Sequence, residues 1–512
     1  MSHQAADRVT PQRNVWLAAA VVFVLGAALN VAWAAQRTLW LDESASVISA
    51  TRSWAGLAEL VRHIDVVHAA YYAVLHVWFD LVGYSPLALR VPSAVAAAAA
   101  AALLVPLGAR LLSARAGVLA AVVFLATPAV LLAATNGRSQ ALEMLAAVAA
   151  SMLFLVAVDP STTRKRWHAA AAWAGYAVVA YAGVLLDLWI VFLIAAHAVT
   201  VLLIWRRRGR SGNRAAVIGL GVIVIVAVFS APFAVLAAGQ SGQIGWLKAP
   251  TVSSGFRTVF RDASFLLPLV QQSPRWPTVA AIISWLLAIV GIVWMLRTRR
   301  LRPALGLLIP WFVVPPLGLL VVTVLVSPTF TDRYLAMSVP ALSLLVAAGL
   351  DALMRRRLTA IVAVIGLVLL LVLGASAWKQ VRWGIPVTAD FHAVADEIRT
   401  ERLADGTDRA GIIYGTMARP PTQLRVDYPQ QLQGVTDLGR TPAPPADGFW
   451  PTRGDVGAAV GRSDSVDVVW YVGQTNSPEV RLVTQAILGH GYRPAETNTY
   501  GGVTLIEFRT AS

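Results

Sequence analysis

The 512-residue chain contains no cysteine, which excludes disulfides, thiolate metal sites and thiol nucleophiles. It is also poor in charge. Only 13% of its residues are Asp, Glu, Lys or Arg, against about 25% in soluble domains. With 57% hydrophobic residues, it reads as an integral membrane protein. The formal net charge of +15 does not point to nucleic acid, because the basic residues cluster in short runs between apolar segments. These are Arg164-Lys165-Arg166, Arg206 to Arg208 with Arg210 and Arg214, Arg297 to Arg302, and Arg355 to Arg357. That placement marks cytoplasmic loops.

A spanning helix needs about 20 mostly apolar residues. Eleven segments qualify, near 15–35, 91–109, 116–134, 140–158, 168–186, 188–205, 215–238, 277–296, 303–326, 334–353 and 358–378. The stretch AAYYAVLHVWFDLVG, 69–83, is apolar but short and carries His76 and Asp80. If it lies at the interface, every basic run falls on one side. The cytoplasmic parts then hold 19 Lys and Arg against 3 Asp and Glu. The outer loops hold 10 against 9, and the tail from Lys379 holds 13 against 15. This reading makes 1–14 cytoplasmic in a multi-pass plasma-membrane protein. It makes 69–83 an interfacial helix, with Tyr71, Tyr72 and Trp78 in the aromatic belt. The first span resembles a signal peptide with AWA at 32–34, but its apolar length favours a retained anchor.

The expected architecture is α-helical and polytopic, with a transmembrane unit over 15–378 and a first outer loop over 36–90. A small extracytoplasmic α/β domain is expected over 379–512. There, helix-like FHAVADEIRTERL and SPEVRLVTQAILGHG alternate with strand-like AGIIYG, VDVVWYVG and GVTLIEFR.

On this topology several polar residues share the outer membrane level: Asp42 and Glu43, Asp65 and His68, Arg138, Asp187, and Asp332-Arg333. Each alone has an ordinary reading. Acids can sit in a hydrated loop, Arg138 and Arg333 can snorkel, and Asp187, lacking a nameable partner, reads as solvated. Convergence is the signal, since charges near a membrane core usually face a cavity or each other.

At these residues the chain resembles the GT-C fold glycosyltransferases that use polyprenyl-phosphate sugars. The nearest group is family 39, with protein O-mannosyltransferases and lipid A aminoarabinose transferases. The first span is followed by an acidic pair in LWLDES. His68-Ala69-Ala70-Tyr71-Tyr72 is similar to an HPPLYY element and is followed by ALRVPSA at 88–94. GRSQALEML stands for an R-x-Y-A-L turn, and Arg333-Tyr334-Leu335 through Pro340 for a late RYL motif. Two departures are Ala69-Ala70 in place of prolines and Gln140 in place of Tyr. The DxVHxxYY variant with a soluble tail resembles actinobacterial mannosyltransferases, which implies an envelope with mannosylated or arabinosylated glycans.

An outer-face site has no nucleotide sugars, so the donor must arrive in the membrane. The departing phosphate calls for a cationic clamp, which suits Arg. Arg333 and Arg138 are the candidates, with Tyr334 beside them and Lys248 and Arg257 as alternates. The resemblance puts Asp42 in the position of general base, and a single carboxylate base implies inversion. Glu43 stands with Asp42 as a candidate catalytic residue, and either points away and holds the loop or shares a divalent cation (Mg, Mn or Zn) with Asp65 and His68. Asp65, His68 and Tyr71 would support the acceptor, which is a glycan, glycolipid or protein. Mannose is the first expectation and arabinofuranose the second. A lipid-linked sugar flippase and a non-enzymatic envelope assembly protein are the rival readings.

Overall fold

The computed structural model describes residues 3–34, 38–159, 166–208, 213–245, 247–265, 275–383, 389–406, 409–416, 423–452 and 454–510. Arg164, Lys165 and Arg210 of the basic runs lie outside them. The first helix, α1 (His3–Ala34), is followed by three short ones: α2 (Leu41–Ala50), α3 (Trp54–His63) and α4 (Ala69–Val82). Then come α5 (Pro86–Leu111), α6 (Ala114–Ala126), α7 (Pro128–Ala134), α8 (Gln140–Val158), α9 (Arg166–Leu186) and α10 (Ile190–Arg208). The bundle is completed by α11 (Asn213–Gly239), α12 (Arg275–Arg297), α13 (Arg302–Leu325), α14 (Val339–Leu353) and α15 (Arg357–Trp383). Ten helices among the described residues are long and apolar enough to cross a membrane, and the protein is a multi-pass membrane protein.

The expected span 116–134 is broken. Thr127 precedes Pro128, whose ring disfavours helical backbone at the residue before it. Thr127 is accordingly extended, and α6 and α7 meet at a 70° bend. Together they still run the length of α5. A Cβ at Gly108 would lie 2.5 Å from the Gly117 Cα, and one at Gly137 would lie 2.4 Å from the Leu89 Cγ. The pair therefore counts as an eleventh, bent crossing. By contrast α4 has 14 residues, about 21 Å at helical rise, too short to span. Val74, Val77 and Leu81 are exposed on it, as an interfacial helix requires.

Basic side chains mark one end of the bundle. Arg110 pairs with Asp159 at 3.3 Å, while Arg115 and Arg355 share Asp351 at 2.6 and 3.0 Å. Arg208 donates to the Val158 carbonyl at 3.1 Å. The polar residues singled out above lie at the opposite end.

The C-terminal part adds α16 (Phe391–Asp405), α17 (Gln423–Asp427) and α18 (Pro478–Gly489) around a five-stranded sheet. Its strands are β1 (Ala410–Tyr414), β2 (Val435–Asp437), β3 (Val468–Gln474), β4 (Tyr492–Tyr500) and β5 (Val503–Thr510), in the order β2-β1-β3-β5-β4. The β2, β1 and β3 strands are parallel; β5 and β4 are antiparallel additions. The three expected strand runs are β1, β3 and β5. The other two were not legible: β2 has three residues, and β4 is a mostly exposed edge with a bulge between Pro494 and Glu496.

Small residues set the closest helix contacts, as in membrane packing generally. The α14 helix is buried along residues 339–351, and a Cβ on Gly349 would fall 1.9 Å from the Leu287 carbonyl oxygen of α12. Gly349→Val should therefore cost about 1–3 kcal/mol or more, seen as a lower thermal midpoint in detergent. Gly221→Ala, where a Cβ meets nothing within 4 Å, should leave the midpoint unchanged.

Candidate active site

The LDES turn opens α2, and its two acids part ways. Glu43 is fully buried and forms a two-pronged pair with Arg90 of α5. Arg90 Nε lies 2.7 Å from Oε1 and Nη2 lies 2.8 Å from Oε2. Oε1 also accepts from the Gly137 amide at 2.8 Å, and Oε2 from the Trp40 amide at 3.3 Å. The ALRVPSA segment supplies a second tie, because Ser93 Oγ donates to the Arg138 carbonyl at 3.0 Å. The start of α2, the head of α5 and the 136–138 turn are thus one knot.

Asp42, one residue earlier, faces a cavity of about 930 Å³. Its Oδ2 lies 3.0 Å from Arg333 Nη1, with both side chains about one-third exposed. The same guanidinium sits over the Trp40 ring, 5.1 Å from its centroid, a favourable cation–π placement. Arg138 is buried. Its Nη1 donates to the Asp42 carbonyl at 3.2 Å, the Tyr72 hydroxyl at 3.2 Å and Ser46 Oγ at 3.4 Å. Burial opposes its charge, but Tyr72, Asp42 and Asp65 outweigh that and hold it protonated. The Tyr72 hydroxyl donates to Asp65 in turn. His68 faces Asp65 at 3.9 Å, and burial and then Arg138 push its titration down to about 4. It is neutral at pH 7.

From these polar groups the cavity continues along Leu188, Trp189, Val191 and Phe192, then Ala234 of α11 and Val322 of α13. The Tyr334 ring meets the Trp189 ring at 5.2 Å between centroids. One cavity therefore joins a charged head to an apolar wall at the helix ends.

The structure brings Asp42, Asp65, His68, Arg138, Arg333 and Tyr334 to that cavity. It does not bring Glu43 or Tyr71 there: the Glu43 oxygens are committed to Arg90 and two amides, and Tyr71, expected to support the acceptor, is buried away from the cavity. Tyr71 and Tyr72 are corrections to the belt reading, for both rings are fully buried. Asp187 is another. It is buried, its carboxylate accepts from the Trp189 amide at 3.0 Å, and burial raises its titration to about 7. Lys248 and Arg257 do not line the cavity; Arg257 pairs with Asp262 at 3.6 Å. Among the described residues no three His, Asp or Glu side chains are grouped to hold a metal ion. Glu43, Asp65 and His68 do not form such a set. Sequence reasoning missed Arg90, Tyr72 and the Phe449-Trp450 pair that also lines the cavity.

No protein-family model matches the chain, and no curated protein matches it in sequence. Among solved structures it is similar to ArnT from Cupriavidus metallidurans in the apo state. That match has a TM-score of 0.57 and 14% identity, covering 95% of this chain and 97% of that one. The same protein bound to undecaprenyl phosphate matches at a TM-score of 0.55, with the same identity and coverage. The fold is the GT-C fold that the sequence motifs led us to expect.

Glu43→Gln removes the carboxylate that balances the buried Arg90 charge, leaving it the Ala34 and Thr38 carbonyls, so it should cost about 3–5 kcal/mol and sharply lower folded yield. Asp42→Asn loses only a half-exposed pair worth about 0–1 kcal/mol and should melt like the wild type. For His68, the unfolded chain takes up a proton near pH 6.5 whereas the native site resists until about 4. Stability should therefore fall as pH drops through that window and stay flat above it. A His68→Asn variant should lose this part of the melting-temperature profile.

Proposed function

We propose that this protein is a glycosyltransferase that moves a sugar from a polyprenyl-phosphate donor to a hydroxyl acceptor on the outer side of the membrane. The observation that carries the reading is the single cavity in which Asp42, Arg333 and Arg138 adjoin an apolar wall at the helix ends. A donor with a lipid tail and an anionic head has that same division. The ArnT structure bound to undecaprenyl phosphate supports a donor of this class. The basic loops at the opposite end support the outer placement.

In this reading the isoprenoid tail lies along Trp189, Phe192 and Val322, and the phosphate draws Arg333 away from Asp42. Arg138, held by Tyr72 and the Asp42 carbonyl, adds a fixed positive charge where negative charge builds on the leaving phosphate. The freed Asp42 carboxylate takes the acceptor proton as the hydroxyl oxygen attacks the anomeric carbon. The bond from that carbon to the phosphate oxygen breaks, and polyprenyl phosphate leaves. One carboxylate base opposite the leaving group gives inversion. Asp65 and His68 border the acceptor side. The sugar is mannose by the resemblance, with arabinofuranose the second choice. A flippase would carry its charges near the midplane, whereas here they gather at one end.

Transfer from a radiolabelled polyprenyl-phosphate sugar in membranes tests the proposal. Asp42→Asn should lower turnover about 10²–10⁴-fold while undecaprenyl phosphate still binds. Arg333→Ala should weaken that binding as well as turnover. Near wild-type turnover in Asp42→Asn would overturn the base assignment.

A further inference from the structure

Beyond the polar head and the apolar wall, the cavity has a third border, made by the C-terminal part of the chain. Residues 440–452 leave the sheet after β2 and return to nearly the same place. At the neck a Cβ on Gly454 would lie 2.3 Å from the Gly439 carbonyl oxygen, so only glycine permits the closure. Asp437 fixes the exit by accepting from the Gly439 and Thr441 amides at 2.9 and 3.0 Å. This is a closed-neck surface loop, and Pro442, Pro444, Pro445 and Pro451 stiffen it by fixing φ. Its tip is pinned by Arg52, just past the end of α2. The guanidinium donates to the carbonyls of Pro445 at 3.0 Å, Ala446 at 3.3 Å and Gly448 at 2.6 Å. Immediately after this clamp, Phe449 and Trp450 face the cavity that holds Asp42, their ring centroids 6.2 Å apart.

We infer that Phe449 and Trp450, whose ring planes are tilted by 54°, form the acceptor subsite, an angled two-ring platform in which Trp450 stacks against the sugar ring of a carbohydrate acceptor and Phe449 flanks it. The inference rests on the glycosyl-transfer reading and names its acceptor class. A sugar ring offers an apolar C–H face to an aromatic face, the polarity that the ring quadrupole attracts. The donor lipid has its own wall elsewhere in the cavity, so the two rings are not needed for the tail. A polypeptide acceptor held by strand addition would need free main-chain groups, and this loop offers few, since four of its residues are proline and three of its carbonyls accept from Arg52. Arg52 is a positioning residue: it sets the height of the platform without touching the acceptor.

Full-length protein in lipid nanodiscs provides the test, with four probes: two glycosides, undecaprenyl phosphate and a Ser/Thr peptide. Methyl α-mannopyranoside and methyl α-arabinofuranoside report on the platform by saturation-transfer NMR from the aromatic protons. Undecaprenyl phosphate reports on the donor site. At least one glycoside should receive saturation from the wild type, and Trp450→Ala should weaken its binding about 2- to 10-fold. Trp450→Phe should keep most of the signal, Arg52→Ala should lower it, and undecaprenyl phosphate should bind all variants equally. The inference fails if neither glycoside is saturated by the wild type, or if Trp450→Ala changes nothing. It also fails if Trp450→Ala loses undecaprenyl phosphate, which would make the rings part of the lipid path. Binding of a Ser/Thr peptide lost in Trp450→Ala, with no glycoside signal, would make the acceptor a polypeptide and overturn it too. If the wild type does not bind undecaprenyl phosphate, the donor reading fails, and the glycoside result still decides the platform.

Discussion

The ion pair between Glu43 and Arg90 is the constraint on which the rest of the site depends. Both side chains have no exposed surface, so neither charge is affordable without the other. Their geometry is the two-pronged one that makes Arg–carboxylate pairs directional. Because Glu43 also accepts from Gly137 and Trp40, the pair fixes three segments at once: the start of α2, the head of α5 and the turn before α8. Asp42 and Arg138 belong to two of those segments. The bond from Arg138 to the Asp42 carbonyl forms within a placement that the Glu43–Arg90 pair already sets.

The α2 helix carries this constraint outward to the C-terminal part. Ser44 donates to Asp427 at 2.7 Å, and the Leu39 amide donates to the Tyr428 hydroxyl at 3.1 Å. Tyr84, at the entry to α5, donates to the Asp427 carbonyl at 2.7 Å. At the far end of the same helix Arg52 holds the Pro-rich loop. A ten-residue helix therefore presents Asp42 from its first turn, and Arg52, two residues past its end, sets the cavity's third border. Gln240 ties the opposite side, accepting from the Val66 amide at 2.8 Å and donating to the Val61 carbonyl at 3.0 Å. The loop that carries Asp65 and His68 is thereby fixed to α11, whose end borders the apolar wall.

Much of the fold was legible because the bilayer imposes a length on apolar runs and a sign on their flanks. The bend at Thr127-Pro128 did not remove a crossing, so it left the parity argument intact. The site was legible only as a set of outlying charges. Adjacent residues on a helix point about 100° apart, so Asp42 and Glu43 had to diverge. Which one faced inward depended on Arg90, 47 residues away, and no local pattern says so. Asp187 looked like a loop acid because its nearest partner is a backbone amide, invisible in sequence. Tyr71 and Tyr72 looked like belt aromatics for a similar reason: composition gives an amphipathic helix, but not which face meets protein. Phe449-Trp450 carries no motif, and becomes informative only when Arg52 places it over the cavity.

Three carboxylates border the cavity, and their surroundings separate them. Asp65 accepts from Tyr72, whose own hydroxyl is bonded by Arg138, so it belongs to a buried network. Asp187 is buried and favours its neutral form. Asp42 alone combines partial exposure, the positive end of a helix behind it and a cation that can be exchanged. Asp42 meets Arg333 through one contact, Nη1 to Oδ2 at 3.0 Å, and a phosphate headgroup, whose oxygens fit the guanidinium fork, can compete for that arginine. Under the proposed reaction, donor binding and the release of Asp42 would then be coupled through a single arginine.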